Sequence, residues 1–107
     1  MQAMIELAPI RLAAGRTEAE LLAASDAFQR DFLSGQPGFL RRDLVRKSER
    51  DFVDIVHWRS AADAEAIMDK VQNSPACMSY FSVMDMGNGD ATVGVEHLSL
   101  LAAYQQD

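Results

Sequence analysis

The sequence has one cysteine, no long apolar run and a deficit of positive charge, and each of these absences excludes a class of protein. Cys77 stands alone, so an intrachain disulfide cannot form, and we expect a reducing, cytoplasmic environment. No stretch approaches the roughly 18 to 20 consecutive apolar residues that a membrane-spanning helix requires. The 10 Lys and Arg residues against 16 Asp and Glu give a net charge of -6, which disfavours binding to nucleic acids or anionic membranes.

The remaining composition is that of an ordinary globular protein. Of the 107 residues, 49% are hydrophobic and 24% are charged. This length is enough to bury a core without a metal or a disulfide, and it is short for two domains. We therefore expect residues 1–107 to form a single domain.

The most informative stretch is DFVDIVHWRS, which covers residues 51–60. Strand alternation divides its side chains between two faces, with Phe52, Asp54, Val56 and Trp58 on one and Val53, Ile55, His57 and Arg59 on the other. Both faces are mostly apolar, whereas a half-exposed strand keeps its polar residues on one face. The pattern predicts a central strand in a sheet that is covered on both sides.

Helices are predicted from their capping signals. Thr17 and Glu20 form a capping box, and the helix that follows is expected to stop at Gly35. Its predicted inner face consists of Leu21, Ser25, Phe28 and Phe32.

Two more helices follow the central strand. Ser60 caps one that ends near Asn73, with Ala64, Ile67, Met68 and Val71 as its predicted inner face. Ser74 and Pro75 are suited to the cap and first position of a short helix over residues 76–84.

Three further strands complete the pattern. The first covers residues 4–12, and Pro9 predicts a bulge or a local break in it because proline lacks a backbone N–H. Residues 39–47 carry many charges, which is typical of an edge strand, and a turn at residues 48–51 joins it to the central strand. Residues 92–104 are predicted to form a long last strand that is covered on both faces.

The order β-α-β-β-α-β, with one extra helical segment, predicts an α+β, ferredoxin-like fold. In this fold a four-stranded antiparallel sheet carries its helices on one face. The other face would expose Val, Ile and Leu side chains, and the same face of a second chain is the simplest cover for it. We therefore expect a homodimer that forms through the open face of the sheet.

Three short segments carry a resemblance to a known group of proteins. They are Gln36-Pro37-Gly38-Phe39, Val56-His57-Trp58-Arg59-Ser60, and Ser74-Pro75 at the head of an aromatic segment. Together they resemble the dimeric α/β-barrel superfamily and, within it, the antibiotic biosynthesis monooxygenase-like group. The resemblance covers nearly the whole chain. It implies the same ferredoxin-like fold, in a group that includes cofactor-independent oxygenases of aromatic polyketides, haem-degrading enzymes and many proteins without a known reaction.

The resemblance transfers few functional residues. The polyketide monooxygenases have a strand tryptophan, matched by Trp58, and an asparagine four residues earlier, where this chain has Asp54. A carboxylate lacks the hydrogen-bond donor of that amide unless it is protonated. The haem-degrading branch has a histidine after its second helix, and residues 74–84 contain none. The resemblance therefore implies an oxygenase-like protein without a cofactor, and it argues against haem degradation.

Asp54 is the candidate catalytic base. A carboxylate in the middle of an apolar strand is costly unless it is paired, and such groups often have a raised pKa and act as acid or base. The alternative is a structural salt bridge to Arg11 or to a neighbouring arginine. Trp58 shares the face of Asp54 and is either a stacking wall for an aromatic ligand or a part of the core. The further candidates for substrate binding are Tyr80, Phe28 and Phe81.

The remaining polar residues are assigned to structural roles. Cys77 is predicted to be a packed thiol. His57 points away from Trp58 and is expected at the dimer interface. His97 and Glu96 face opposite ways and form no dyad, and no metal site is expected. The arginines of the second strand are expected in solvent, where they protect the edge of the sheet.

The predicted function is cofactor-independent monooxygenation of a small apolar or aromatic metabolite, bound in a cavity between the sheet and the helices. The alternative is a non-catalytic dimeric protein that binds a small molecule or serves a stress response. The fold is compatible with both, so only the residues of the cavity can decide between them.

Overall fold

The computed structural model describes residues 3–87 and 94–106. Its elements are β1 (Met4–Arg11), α1 (Glu18–Asp31), a 3-10 turn (Leu33–Gly35), β2 (Phe39–Arg46), β3 (Asp51–Trp58), α2 (Ala61–Val71), α3 (Pro75–Phe81) and β4 (Glu96–Ser99). The strands form one sheet in the order β2-β3-β1-β4, and each neighbouring pair is antiparallel. This arrangement confirms the predicted ferredoxin-like fold.

All three predicted helix caps are present. The Thr17 hydroxyl accepts a hydrogen bond from the Glu20 N–H at 3.2 Å, and the Glu20 carboxylate accepts one from the Thr17 N–H at 3.0 Å. Ser60 and Ser74 likewise accept hydrogen bonds from backbone N–H groups three residues later. These caps satisfy N–H groups that a helix leaves without partners at its first turn. The end predicted for α1 at Gly35 was wrong, because α1 ends at Asp31 and Gly35 closes the separate 3-10 turn.

Strand β3 is central in the sheet, with β1 and β2 as its neighbours. The helices pack on the face that carries its even-numbered side chains, from Phe52 to Trp58, and all four of these residues are buried. The odd-numbered residues 53, 55 and 57 are only partly buried. Within the described residues the sheet is therefore covered on one face, and the second cover predicted for β3 stays a prediction.

Pro9 does not break β1, so the predicted bulge was wrong. The register of β1 against β3 runs without interruption, and Pro9 lies opposite Val53. The Leu12 N–H bonds to Arg50 on the β3 side, whereas the Arg11 carbonyl accepts from Asp85 on the other side. Pro9, which is two residues before Arg11, therefore has its nitrogen on the side away from β3. Because β4 pairs only with residues 4–7 of β1, no ladder hydrogen bond is lost at Pro9.

The last strand is much shorter than predicted. Strand β4 covers only Glu96–Ser99, and its four residues are exposed in the single chain. Residues 100–106 follow without helix or strand, and the beginning of the predicted strand at residues 92 and 93 lies outside the described residues. Leu101 and Tyr104 in this terminal segment are 85% and 92% exposed. The apolar composition that suggested a long, doubly covered strand thus belongs mainly to a segment that the described part of the chain leaves exposed.

Strand β2 is at the edge of the sheet, as predicted, and it contains a β-bulge at Leu40. Phe39 lies opposite Trp58 and Arg41 lies opposite His57, so one residue of β2 has no counterpart in β3. Leu40 is 58% exposed. Because of this extra residue, Phe39 and Arg42 both point to the face of the sheet that carries the helices.

None of the helices in the described ranges combines the length and the apolar character that a membrane span needs.

Candidate functional site

A cavity of about 340 Å³ lies between the sheet and the helices. Its floor is formed by β1 and β3, and its other walls come from α1, α2, α3 and the segment after α3. Most lining side chains are apolar or aromatic, as in most small-molecule sites. The five site residues predicted from the sequence all line it: Phe28, Asp54, Trp58, Tyr80 and Phe81. The residues predicted from the sequence therefore lie at one cavity, and their roles stay predictions.

Asp54 is 5% exposed and is held by two partners. Its Oδ1 accepts a hydrogen bond from Arg42 Nε at 3.0 Å, and its Oδ2 accepts one from Arg42 Nη2 at 3.4 Å. The Tyr80 hydroxyl donates to the same Oδ2 at 2.7 Å. Of the two salt-bridge partners that the sequence suggested for Asp54, the observed one is therefore a neighbouring arginine, Arg42. Arg11 instead pairs with Asp51, at 2.7 Å.

The protonation of this group is set by opposing effects. Burial raises the pKa of Asp54, while the charge of Arg42 and the hydrogen bond from Tyr80 oppose that rise. Burial and the nearby charge of Asp54 raise the pKa of Tyr80 far above its ordinary value, so its hydroxyl remains protonated. The Tyr80 hydroxyl therefore stays a hydrogen-bond donor to Asp54, whose carboxyl group is subject to burial on one side and to the charge of Arg42 on the other.

Arg42 was expected in solvent, and this prediction was wrong. Its side chain is only 5% exposed, although β2 is an edge strand. Besides Asp54, it donates to the Ser25 hydroxyl at 2.7 Å and to the Tyr80 oxygen at 2.8 Å. Its guanidinium carbon lies 5.1 Å from the ring centre of Phe28 and 5.3 Å from that of Tyr80. Arg42 therefore joins β2, α1 and α3 to the central strand, with cation–π contacts on two rings.

Trp58 is 1% exposed and packs edge-on against Phe39, with ring centres 5.9 Å apart. It also lines the cavity, so the stacking and the packing roles considered for it are not exclusive. Among the described residues, its indole nitrogen is the one buried side-chain polar atom without a hydrogen-bond partner. The Glu6 carboxylate lies near the indole N–H, which lowers the pKa of Glu6. The geometry between the two groups does not meet that of a hydrogen bond. A buried N–H in this state is costly and is expected to find a partner.

Glu6 is a further carboxylate of the cavity wall, which the sequence analysis missed. It lies opposite Val56 of β3 and opposite His97 of β4. Its side chain is 14% exposed, and its Oε1 lies 3.2 Å from His97 Nε2. Burial raises the pKa of Glu6, while the hydrogen bond and charge of His97 act against the rise. A signal was available, because strand alternation puts Glu6 on the same face as Ile10 and Leu12, which are buried in the core.

The other predicted polar residues lie on the faces that strand alternation gave them, and the role of His57 at a dimer interface stays a prediction. His57 is partly buried on the open face of the sheet, away from Asp54 and Trp58. Glu96 lies opposite Leu7 and faces away from His97, so these two form no dyad. Cys77 is fully buried, and burial raises the pKa of its thiol. In the described ranges, no group of three or more His, Cys, Asp or Glu side chains is arranged to hold a metal ion.

Comparison with known proteins places the fold. No family profile and no curated protein matches the chain. Among solved structures, it is similar to SnoaB from Streptomyces nogalater, a cofactor-independent oxygenase, with 16% identity over 98% of this chain and 97% of that one and a TM-score of 0.68. A candidate antibiotic biosynthesis monooxygenase from Bordetella bronchiseptica has 15% identity over 95% of this chain and all of its own, with a TM-score of 0.74.

A heme-degrading protein from Mycobacterium tuberculosis is also similar, with 19% identity over 98% of each chain and a TM-score of 0.60. The chain therefore has the fold of these proteins, which is the fold that the resemblance seen in the sequence implied. Identities this low show a shared fold and do not transfer a reaction.

Proposed function

We propose that the chain binds a small, largely apolar aromatic molecule in its cavity and oxygenates it with dioxygen, without a bound cofactor. The observation that carries this proposal is the cavity itself, whose mostly apolar and aromatic walls carry the buried carboxyl group of Asp54 and the partly buried one of Glu6. Its volume of about 340 Å³ is at the lower end of the roughly 300–1,000 Å³ of small-molecule sites, so it suits a compact ligand. The fold shared with SnoaB, a cofactor-independent oxygenase, supports the reaction class.

The proposed reaction consumes one dioxygen per ligand. A base removes a proton from an activated methylene group of the ligand, and the resulting carbanion reduces dioxygen. One oxygen atom becomes a carbonyl on the ligand and the other leaves as water, so that CH₂ and O₂ give C=O and H₂O. The protein supplies orientation, exclusion of bulk water and the proton acceptor.

Asp54 is the proposed proton acceptor. When Asp54 takes up a proton, Arg42 loses its anionic partner, and this would be costly if nothing else held the guanidinium. Arg42 keeps neutral partners, however, in the oxygens of Ser25, Gln29 and Tyr80. The protonated state of Asp54 is therefore better tolerated here than in an isolated buried ion pair.

Oxygen consumption tests the proposal. We expect a member of a panel of anthrones, which carry an activated methylene group, to be oxidised by the purified chain, and Asp54→Asn to lower kcat at least a hundredfold because the base is lost. Trp58→Phe should change KM more than kcat if the indole ring only positions the ligand. Asp69→Asn, an exposed change on α2, is the matched control and should have no effect. No turnover with any panel member that demonstrably binds would contradict the oxygenase proposal.

A non-catalytic binding protein is the second candidate. It is favoured by one observation, namely that both carboxylate oxygens of Asp54 already accept hydrogen bonds. Such a group can be a fixed part of the wall instead of a base. In that case aromatic ligands bind in the cavity, no oxygen is consumed, and Asp54→Asn affects the stability of the protein more than ligand binding.

We also propose that two chains pair through the open face of the sheet. Ile5, Leu7, Val53 and Ile55 form an apolar patch there that the chain leaves partly accessible. Leu98 on β4 extends the patch and is 46% exposed. A symmetric dimer needs only one self-complementary patch, and this face provides it.

A further inference from the structure

Three methionines belong to the wall of the cavity on the side opposite the sheet. Met68 is on α2, and Met84 and Met86 are in the segment that follows α3. All three residues are partly buried. Met78 on α3, by contrast, is 47% exposed and does not belong to the cavity wall that the described residues form. The cavity therefore has thioether groups that bulk solvent reaches less readily than it reaches Met78.

A thioether brings a reactivity that the neighbouring apolar side chains lack. The sulfur of methionine accepts an oxygen atom from a peroxide and becomes a sulfoxide. Ile67 and Val71, which line the same side of the cavity, carry only C–H bonds and do not react in this way. The cavity methionines, Met68, Met84 and Met86, thus give an otherwise inert apolar wall a group that can be oxidised.

The reaction proposed above supplies an oxidant of the right class inside the cavity. Addition of dioxygen to the ligand carbanion gives a peroxide anion on carbon, and a proton converts it into an organic hydroperoxide. On the productive path the O–O bond of this hydroperoxide breaks, water leaves and the carbonyl remains. A hydroperoxide that does not lose water is held against the walls that bind the ligand, which include the cavity methionines.

We propose that the cavity methionines reduce an apolar aromatic hydroperoxide bound in the cavity to the corresponding alcohol. The inference rests on the proposed function for the origin of the hydroperoxide. The sulfur attacks the terminal oxygen, so an S–O bond forms as the O–O bond breaks, and the departing alkoxide takes the proton of the attacked oxygen. The thioether loses two electrons and becomes a sulfoxide, and the hydroperoxide gains two electrons and becomes an alcohol.

The oxidation also changes the cavity. A sulfoxide is polar, whereas the thioether that it replaces is apolar. An apolar ligand that covers the sulfoxide oxygen offers it no hydrogen-bond donor, so the oxidised chain should bind apolar ligands more weakly. Accumulation of the hydroperoxide therefore lowers the occupancy of the cavity and limits its own formation.

Cumene hydroperoxide, which is apolar and aromatic, tests this site, and hydrogen peroxide is the control without an apolar group. The intact chain is treated with either oxidant, digested with trypsin and analysed by fragmentation mass spectrometry. No Lys or Arg follows Lys70, so Met78, Met84 and Met86 are compared within one peptide. We expect cumene hydroperoxide to oxidise Met84 and Met86 at least about fivefold faster than Met78, because binding holds the oxidant beside them. Hydrogen peroxide should oxidise the more exposed Met78 first.

A competitor shows whether the oxidant acts from within the cavity. 2-Phenyl-2-propanol is the alcohol formed from cumene hydroperoxide, so it has nearly the same shape and transfers no oxygen. It should protect the cavity methionines and leave the oxidation of Met78 unchanged. One molecule of this alcohol should form for each sulfoxide. Calorimetry should show that naphthalene binds about tenfold more weakly after the cavity methionines are oxidised.

Variants identify the sulfur atoms responsible. The triple variant Met68→Leu/Met84→Leu/Met86→Leu nearly conserves side-chain volume and should lose the fast consumption of cumene hydroperoxide. Met78→Leu is the matched control and should retain it. If the triple variant does not fold, the competition with 2-phenyl-2-propanol in the unsubstituted chain decides.

The outcomes separate this inference from the proposed function. Oxidation of Met78 ahead of the cavity methionines by both oxidants would overturn the inference, and so would a failure of 2-phenyl-2-propanol to protect them. Unchanged affinity for naphthalene after oxidation would overturn the self-limiting effect. Oxygen uptake with anthrones but no preferential oxidation of the cavity methionines contradicts only this inference. Preferential oxidation without oxygen uptake contradicts only the oxygenase proposal.

Discussion

Arg42 and Asp54 form a two-point ion pair inside the protein, with side-chain exposures of 5% and 7%. The pair joins an edge strand to the central strand, and Tyr80 adds a hydrogen bond to each partner. An ion pair of this kind is a poor measure of stability by itself, because desolvation of both charges offsets their attraction. The pair affects stability most clearly through the free energy that is lost when only one partner is removed.

Removal of one partner is expected to be far more damaging than removal of both. Arg42→Met leaves Asp54 buried without its cation and should lower the free energy of unfolding by about 3–5 kcal/mol. The double variant Arg42→Met/Asp54→Leu should lose much less than the sum of the single changes. Urea denaturation measures both. Arg41→Met removes the exposed pair with Asp43 on the same strand and should have little effect.

Tyr80→Phe should destabilise the fold although the ring is kept. The hydroxyl donates to Asp54 at 2.7 Å and accepts from Arg42 at 2.8 Å, so its loss weakens the hydrogen bonding of two buried charges. We expect a loss of roughly 1–3 kcal/mol in the free energy of unfolding. The chain has one other tyrosine, Tyr104, which is 92% exposed. Tyr104→Phe is the control, and an equal loss in both variants would contradict this explanation.

The burial of Glu6 should appear in the pH dependence of stability. Its folded-state pKa is raised above the ordinary value of 4.5, so between these two values the folded state binds more protons than the unfolded state. The contribution of Glu6 to stability is therefore most favourable at low pH and is lost as pH rises from 4.5 through the folded pKa. Glu6→Gln removes this contribution.

Urea denaturation at a series of pH values checks this sign. The stability of Glu6→Gln relative to the unsubstituted chain should increase as pH rises from 4.5 toward neutrality. Glu65→Gln should show no such trend. An increase of wild-type stability over Glu6→Gln with rising pH would show that His97 outweighs burial at this site.

The open face of the sheet should determine the oligomeric state. Ile55→Lys places a charge in the middle of the apolar patch, where pairing would bury it, so we expect the dimer to dissociate into monomers. Light scattering at micromolar concentration measures the mass. Leu22→Lys on α1 also replaces an exposed apolar residue, and it should remain dimeric. A monomeric unsubstituted chain would contradict the proposed pairing.

Most of the fold could be predicted because its signals are local. Thr17, Ser60 and Ser74 cap helices through residues three positions away, and the alternation of β3 depends only on its own eight residues. The predicted length of the last strand was wrong because apolar composition does not say whether a segment is covered by its own chain or by another. The bulge predicted at Pro9 was wrong because the effect of a proline depends on where the neighbouring strand ends, which is a property of the whole sheet.

The site was predicted only in part, for a similar reason. Asp54 and Trp58 could be paired by alternation within one strand. The contact between Glu6 and His97 joins the first and last strands, 91 positions apart, and no local pattern contains it. Arg42 was assigned to solvent because charged residues commonly protect an edge strand, and simple alternation from an inward Phe39 would also point residue 42 outward. The bulge at Leu40 reverses this implication.

The extra residue Leu40 thus shifts the alternation of side chains in β2 by one position. Without it, Phe39 and Arg42 would occupy opposite sides of the strand, since three is an odd separation. Deletion of Leu40 would force a choice between the contact of Phe39 with Trp58 and the attachment of Arg42 to Asp54, because the shortened strand could place only one of them inward. One exposed residue of an edge strand therefore determines that the contact of Phe39 with Trp58 and the ion pair of Arg42 with Asp54 can exist together.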